Sequence, residues 1–143
     1  MRPHWLVPVL LFLIAGCSTT AGTGKPEDLL DVHEAAIRYQ MKNSVAVDGP
    51  AVPVHVLVDG NDPSGELLRR FSDSPFDLQP GTKRNPAKSV CVSVDNLKWI
   101  DRNTVEVEIS CNSNGIDGSV HLFRLERQRG KWVVTKDTIT AIS

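Results

Sequence analysis

The sequence predicts an α+β domain in which an N-terminal helix packs on a curved antiparallel sheet of four to five strands. Three observations predict it. Apolar residues recur at helical spacing from Pro26 to Met41, and from Val90 onward apolar and polar residues alternate in runs separated by short turns. The third is the absence of any internal repeat or heptad in the 143 residues, a length that suits one modest core.

The first helix is expected over 26–42. Pro26 suits a first helical position, and Glu27 and Asp28 complement the positive end of the dipole. Leu29, Leu30, Ala36, Ile37 and Met41 make the apolar stripe, and Asp31, Glu34, Arg38 and Lys42 the opposite face, with Glu34 and Arg38 an i,i+4 pair. Val52, Val54, Val56 and Val58 alternate as a strand. Asp59-Gly60-Asn61 turns the chain, and Asp62 reads as the N-cap of a short helix, with Pro63 at its first position and its end near Phe71. The stretch 72–88 carries Pro75, Pro80, Pro86 and Gly81 and reads as a long irregular loop. Strands follow at 90–100, 104–111, 119–128 and 131–137, with 139–142 as a tail. They turn at Asp101-Arg102-Asn103 and Arg129-Gly130, which makes an antiparallel meander.

Residues 1–16 read as an export signal. Arg2 supplies a positive start, and Trp5 to Ala15 is an uncharged apolar run, too short for the roughly 20 residues that span a bilayer. The segment Leu13-Ile14-Ala15-Gly16-Cys17 resembles the bacterial lipobox. That resemblance implies cleavage before Cys17 and a diacylglycerol thioether on its sulfur, usually with acylation of the freed amine. Several acyl chains, at about 0.8 kcal/mol per buried methylene, make such an anchor effectively permanent. Ser18 after the cysteine accompanies outer-membrane sorting in Gram-negative lipoproteins; in a Gram-positive cell the same anchor leaves the domain outside the single membrane. Residues 17–25 form the lipidated cysteine and a small, polar tether of about 26 Å at full stretch. Residues 26–143 form the domain.

The domain's order of elements resembles the NTF2-like or cystatin-like architecture, and more closely the small exported NTF2-like proteins of unknown function. The echoes are the segment Asp62 to Leu68, Val94-Asp95-Asn96-Leu97-Lys98-Trp99 before a hairpin, and Gly130-Lys131-Trp132-Val133-Val134 leading to Ile142-Ser143. The resemblance implies a fold and no catalytic residues.

Charge gives no case for nucleic acid. Sixteen Lys and Arg stand against 17 Asp and Glu, and loss of Arg2 with the signal leaves −2. Of the four histidines, His4 goes with the signal, while His33, His55 and His121 lack a second ligand at a metal-binding spacing. No metal or other cofactor is expected. His33 lies near the helix stripe, and His121 shares strand parity with Phe123 and Leu125, so both are candidates to face a cavity; the competing reading makes them polar residues at the edge of the core. The run Asp59 to Ser64 imitates a calcium loop, but Pro63, Ser64 and Arg70 occupy positions that require other residues. There is no Gly-rich phosphate loop, no nucleophile elbow and no Cys/His arrangement for nucleophilic catalysis. Lys83, Arg84 and Lys88 sit on the Pro-rich loop as a solvated or partner-contacting patch, and Trp99 and Trp132 read as packing residues.

Cys91 and Cys111 remain as an even pair once Cys17 is consumed, in a compartment outside the reducing cytosol. A hairpin centred on Asp101 places them opposite each other, which predicts a disulfide contributing about 3 kcal/mol. Parity pulls the other way: Cys111 shares a face with Val105, Val107 and Ile109, while Cys91 alternates out of phase with Val90, Val92 and Val94. A bulge near Asp95-Asn96, or valines facing away from the main core, would reconcile the two. The expected function is a membrane-anchored, non-enzymatic module outside the cytoplasm, on the cell membrane or outer membrane, binding an envelope protein or a small apolar ligand. The alternative is a cavity enzyme of isomerase or dehydratase type, which requires His33 or His121 to meet a carboxylate beside a concavity of about 300 Å³ or more.

Overall fold

The computed structural model describes residues 25–44, 53–85, 89–113 and 117–143. The signal, Cys17 and most of the tether lie outside the described residues. Among those described, no helix is long and apolar enough to cross a membrane.

Helix α1 spans Pro26–Ser44 and lies on one face of a six-stranded sheet. Its buried side is carried by Val32, His33, Ala36, Ile37, Gln40 and Met41. Leu29, expected in the stripe, is 38% exposed; Asp28 is buried instead and pairs with Arg127 from the sheet. On the opposite face Glu34 holds Arg38 at 2.9 Å, and Arg38 goes on to donate to the Arg70 carbonyl at 2.7 Å.

The strands are β1 (Val54–Val58), β2 (Leu78–Pro80), β3 (Val90–Asp101), β4 (Thr104–Ser113), β5 (Asp117–Gln128) and β6 (Lys131–Ile142). They lie in the order β2-β1-β3-β4-β5-β6. The last four form the expected antiparallel meander. The sheet exceeds the expected four to five strands and is mixed, because β1 runs parallel to both β2 and β3. Parallel neighbours cannot be joined by a tight turn, so the chain must cross over twice. The first crossing carries helix α2 (Gly65–Arg69), and the second carries a 3-10 turn at Gly81–Lys83.

That requirement explains part of the Pro-rich stretch 72–88: residues 78–83 form a short strand and a 3-10 turn where an irregular loop was expected. Residues 72–77 and 84–85 are irregular as expected, and 86–88 lie outside the described residues. Pro80 closes an edge strand of three residues, where a missing backbone donor costs little. Gly81 then passes over β1 so closely that an added Cβ would sit 2.3 Å from Leu57 Cδ2. The cap of α2 also differs from expectation. Ser64, not Asp62, accepts from the Leu67 amide at 3.1 Å. The Asp62 carboxylate instead accepts from the Thr82 amide (2.9 Å) and hydroxyl (2.6 Å), tying the two crossings together and holding the carboxyl below its usual range.

Strand β6 is continuous to Ile142 rather than ending at Asp137. Two register shifts against β5 absorb the irregularity that looked like a break. A bulge also occurs in β3 between Asp95 and Lys98, with Asn96 in the left-handed region at φ 53°. It lets Val92 and Val94 on one side of the bulge, and Trp99 on the other, all point toward α1. The space between helix and sheet is filled by Val32, Ile37 and Met41 against Val92, Val107, Phe123 and Leu125. Trp99 and Trp132 meet edge to face at 5.6 Å, in the packing role expected of them.

Candidate functional site

Alternation along β5 places Ser119, His121, Phe123 and Leu125 on the helix-facing side, as their parity indicates. Tyr39 of α1 meets the Phe123 ring edge to face at 5.0 Å, and the His121 ring also meets Phe123 edge to face, at 5.8 Å. The bulge opposite Arg124 and Leu125 brings Asp137 of β6 onto the same face. There His121 Nδ1 lies 2.6 Å from Asp137 Oδ1, and Nε2 lies 2.9 Å from Ser119 Oγ. An ionised carboxylate can only accept, so in the neutral ring the proton sits on Nδ1 and donates to Asp137. Nε2 is then an acceptor, and the Ser119 hydroxyl must donate to it. The His121 and Asp137 side chains are 12% and 27% exposed, which reduces solvent screening of their interaction.

Ser119 carries this relay to the surface. It lines a cleft of about 370 Å³ at the C-terminal end of α1, together with Ser44, Cys111, Ser113, Gly118, Ile142 and Ser143. An adjoining hollow of about 210 Å³ shares Cys111, Gly118, Ser119, Ile142 and Ser143. His121 itself lines neither and reaches the cleft only through the serine. Ile139 and Ile142 stand on the same side of β6 beside His121 and Ser119, 57% and 77% exposed, so the apolar face of the sheet runs on past the end of the helix.

The structure does not bring His33 and His121 together. His33 is buried, and desolvation lowers its pKa, opposed in part by the negative charge of Asp59. His55 is buried on the other face of the sheet, with Nδ1 3.0 Å from the Pro80 carbonyl. Among the described residues, no three or more His, Cys, Asp and Glu are grouped to hold a metal ion. In the calcium-like run, Asp62 is committed to Thr82 and Ser64 to the α2 cap. Arg84 is no free surface cation: it donates to Asn112 at 3.0 Å and lies near Cys91. Lys88 lies outside the described residues.

The cysteines are free thiols, and the expected register needs correction by one residue: Cys91 stands opposite Asn112, and Cys111 opposite Val92. The two side chains therefore lie on opposite faces of the sheet. Cys111 points to α1, where it bonds Gln40, and Cys91 points to the face crossed by the 81–85 segment; burial raises both thiols. The competing energies favour this arrangement. Facing the cysteines by a one-residue slip would expel Val92 and Val94, each fully buried, at about 3–6 kcal/mol together. A bridge would return about 3 kcal/mol.

Comparison with protein-family models, with curated proteins and with solved structures finds no match. Sequence reasoning found His121 by parity but missed Ser119 and Asp137. Ser119 carried a usable signal, since it lies two residues from His121 on the same strand face. Asp137 carried none, because its position depends on a bulge that only the pairing reveals.

Proposed function

We propose that the chain is a lipid-anchored protein of the bacterial envelope whose domain is a binding module, taking the apolar part of a small ligand into the cleft at the end of α1. The lipobox ending in Cys17 and the polar tether after it support an anchored domain outside the cytoplasm. The helix-on-sheet order of elements supports kinship with the small exported NTF2-like proteins. The observation that carries the binding reading is the meeting, in one open cleft, of the uncovered Ile142 side chain with the Ser119 hydroxyl, with exposed Ile139 on the same face of β6. Small-molecule sites combine apolar contact area with convergent polar groups; here Ile142 and Cys111 supply the first and the serines the second.

Soft-ionisation mass spectrometry of the full-length protein, extracted from the envelope in detergent, tests this reading. A small-molecule adduct is expected on the wild type and not on Ile142→Asp. Absence of any adduct, together with no saturable uptake of octanoate, would count against the cleft.

A further inference from the structure

We propose that Ser119, His121 and Asp137 form a nucleophilic relay through which Ser119 accepts acyl groups from activated esters held in the α1 cleft. The inference rests on the cleft being a ligand site and names the class of ligand. Each member has the position its role requires. The Ser119 hydroxyl donates to Nε2 over 2.9 Å and lines the cleft, so the nucleophile is open to a ligand while its base is not. Asp137 fixes the proton on Nδ1 over 2.6 Å, which leaves Nε2 as the free base. The Phe123 ring limits the remaining freedom of the imidazole. The roles are recognised from geometry alone, since the arrangement recurs on unrelated folds in different chain orders.

The chemistry balances without an added reagent other than water. As Ser119 Oγ forms a bond to the acyl carbon, its proton passes to His121 Nε2, and Asp137 stabilises the imidazolium. Collapse of the tetrahedral adduct breaks the bond from carbon to the leaving oxygen, which takes that proton. Water then attacks the acyl-serine, losing a proton to Nε2, and the serine departs with the proton returned to Oγ. The substrate class follows from what lies around the serine. The Gly118 and Ser143 amides at the lip of the cleft donate to each other's carbonyls, at 3.4 and 2.9 Å. Since one oxyanion donor is worth about 10²–10³ in rate, an ester with a good leaving group, such as an aryl ester, is the substrate expected. Cys111, directly across from Ser119 in the β4–β5 pairing, is a poorer nucleophile here because burial keeps its thiol protonated.

The test uses full-length lipidated protein in detergent, with an alkyl fluorophosphonate as covalent probe and p-nitrophenyl butyrate as substrate. One phosphonyl adduct is expected, on Ser119, and none on Ser119→Ala. His121→Gln should slow labelling and ester hydrolysis by at least about a hundredfold with an unchanged melting temperature. Asp137→Asn should slow both, and Asp137→Glu should recover at least about tenfold of the loss, which a purely structural carboxylate would not do. Octanoate binding, measured on the same samples, separates the two claims. Saturable binding without Ser119 labelling, an adduct on another residue, or a wild-type labelling rate in His121→Gln would overturn the relay and leave the cleft in place. Loss of octanoate binding in the wild type would remove the cleft as well.

Discussion

Burial holds the imidazole of His33 below its ordinary value of 6.5, against a smaller opposing pull from Asp59. The unfolded chain therefore takes up this proton at a higher pH than the folded one, so acid favours unfolding across the interval between the two. The His33 contribution to stability is complete above about pH 6.5 and is lost as pH falls toward the lowered folded value. Melting temperatures from pH 7.5 to pH 5 should show a decline that His33→Gln flattens; a variant retaining the whole slope would contradict this. Asp62 acts with the same sign at lower pH, in the carboxylate range, because its bonds to Thr82 favour the ionised form. The thiols give a second check at this scale. With Cys91 and Cys111 on opposite faces, alkylation of the unfolded chain should find both thiols free, with no two-hydrogen mass deficit. A deficit would require the slipped register that exposes Val92 and Val94.

Caps, bulges and close approaches decide how the elements join, and each has a single-residue test. Ser64→Ala should cost about 1 kcal/mol in denaturant unfolding through loss of the α2 cap. At the β3 bulge, Asn96 holds a left-handed backbone that favours glycine, so Asn96→Gly should be neutral or stabilising and Asn96→Ala should cost about 1 kcal/mol. Gly81→Ala should be worse than either, because the new methyl meets Leu57 and the Val56 carbonyl, and overpacking of that kind costs about 1–3 kcal/mol. These same features mark where the sequence stops being readable. Helix α1 and the four meander strands follow from periodicity within one segment, and the Arg129-Gly130 turn from its positive-φ glycine. The bulges, the cap at Ser64 and the parallel pairing of β1 depend on a partner element that periodicity does not encode. Pro80 concealed β2 because proline argues against a strand except at an edge, and edge position belongs to the sheet as a whole. The candidate site was legible to the same extent: His121 by its parity, Ser119 by its spacing from it, and Asp137 only through the β6 register.

At the scale of the whole molecule, the proposal joins an anchor to a site. Replacing Cys17 by Ser removes the only thiol at the lipobox, so unprocessed and unlipidated precursor should accumulate. Maturation at the same position with full membrane retention would contradict the anchor. The cleft lies where α1 ends and the faces of β4, β5 and β6 continue without it, which leaves Ile142 uncovered among Ser44, Ser113, Ser119 and Ser143. A competing hollow of about 330 Å³ exists between α2 and β2, lined by Leu68, Phe71, Phe76 and Leu78 among others, and it offers a built-in comparison. The most direct measurement is an amide NMR titration of the ¹⁵N-labelled, detergent-solubilised protein with octanoate. Saturable shifts centred on Gly118, Ser119, Ile142 and Ser143 are predicted; shifts centred on Phe71 to Leu78, or none that saturate, would contradict the account.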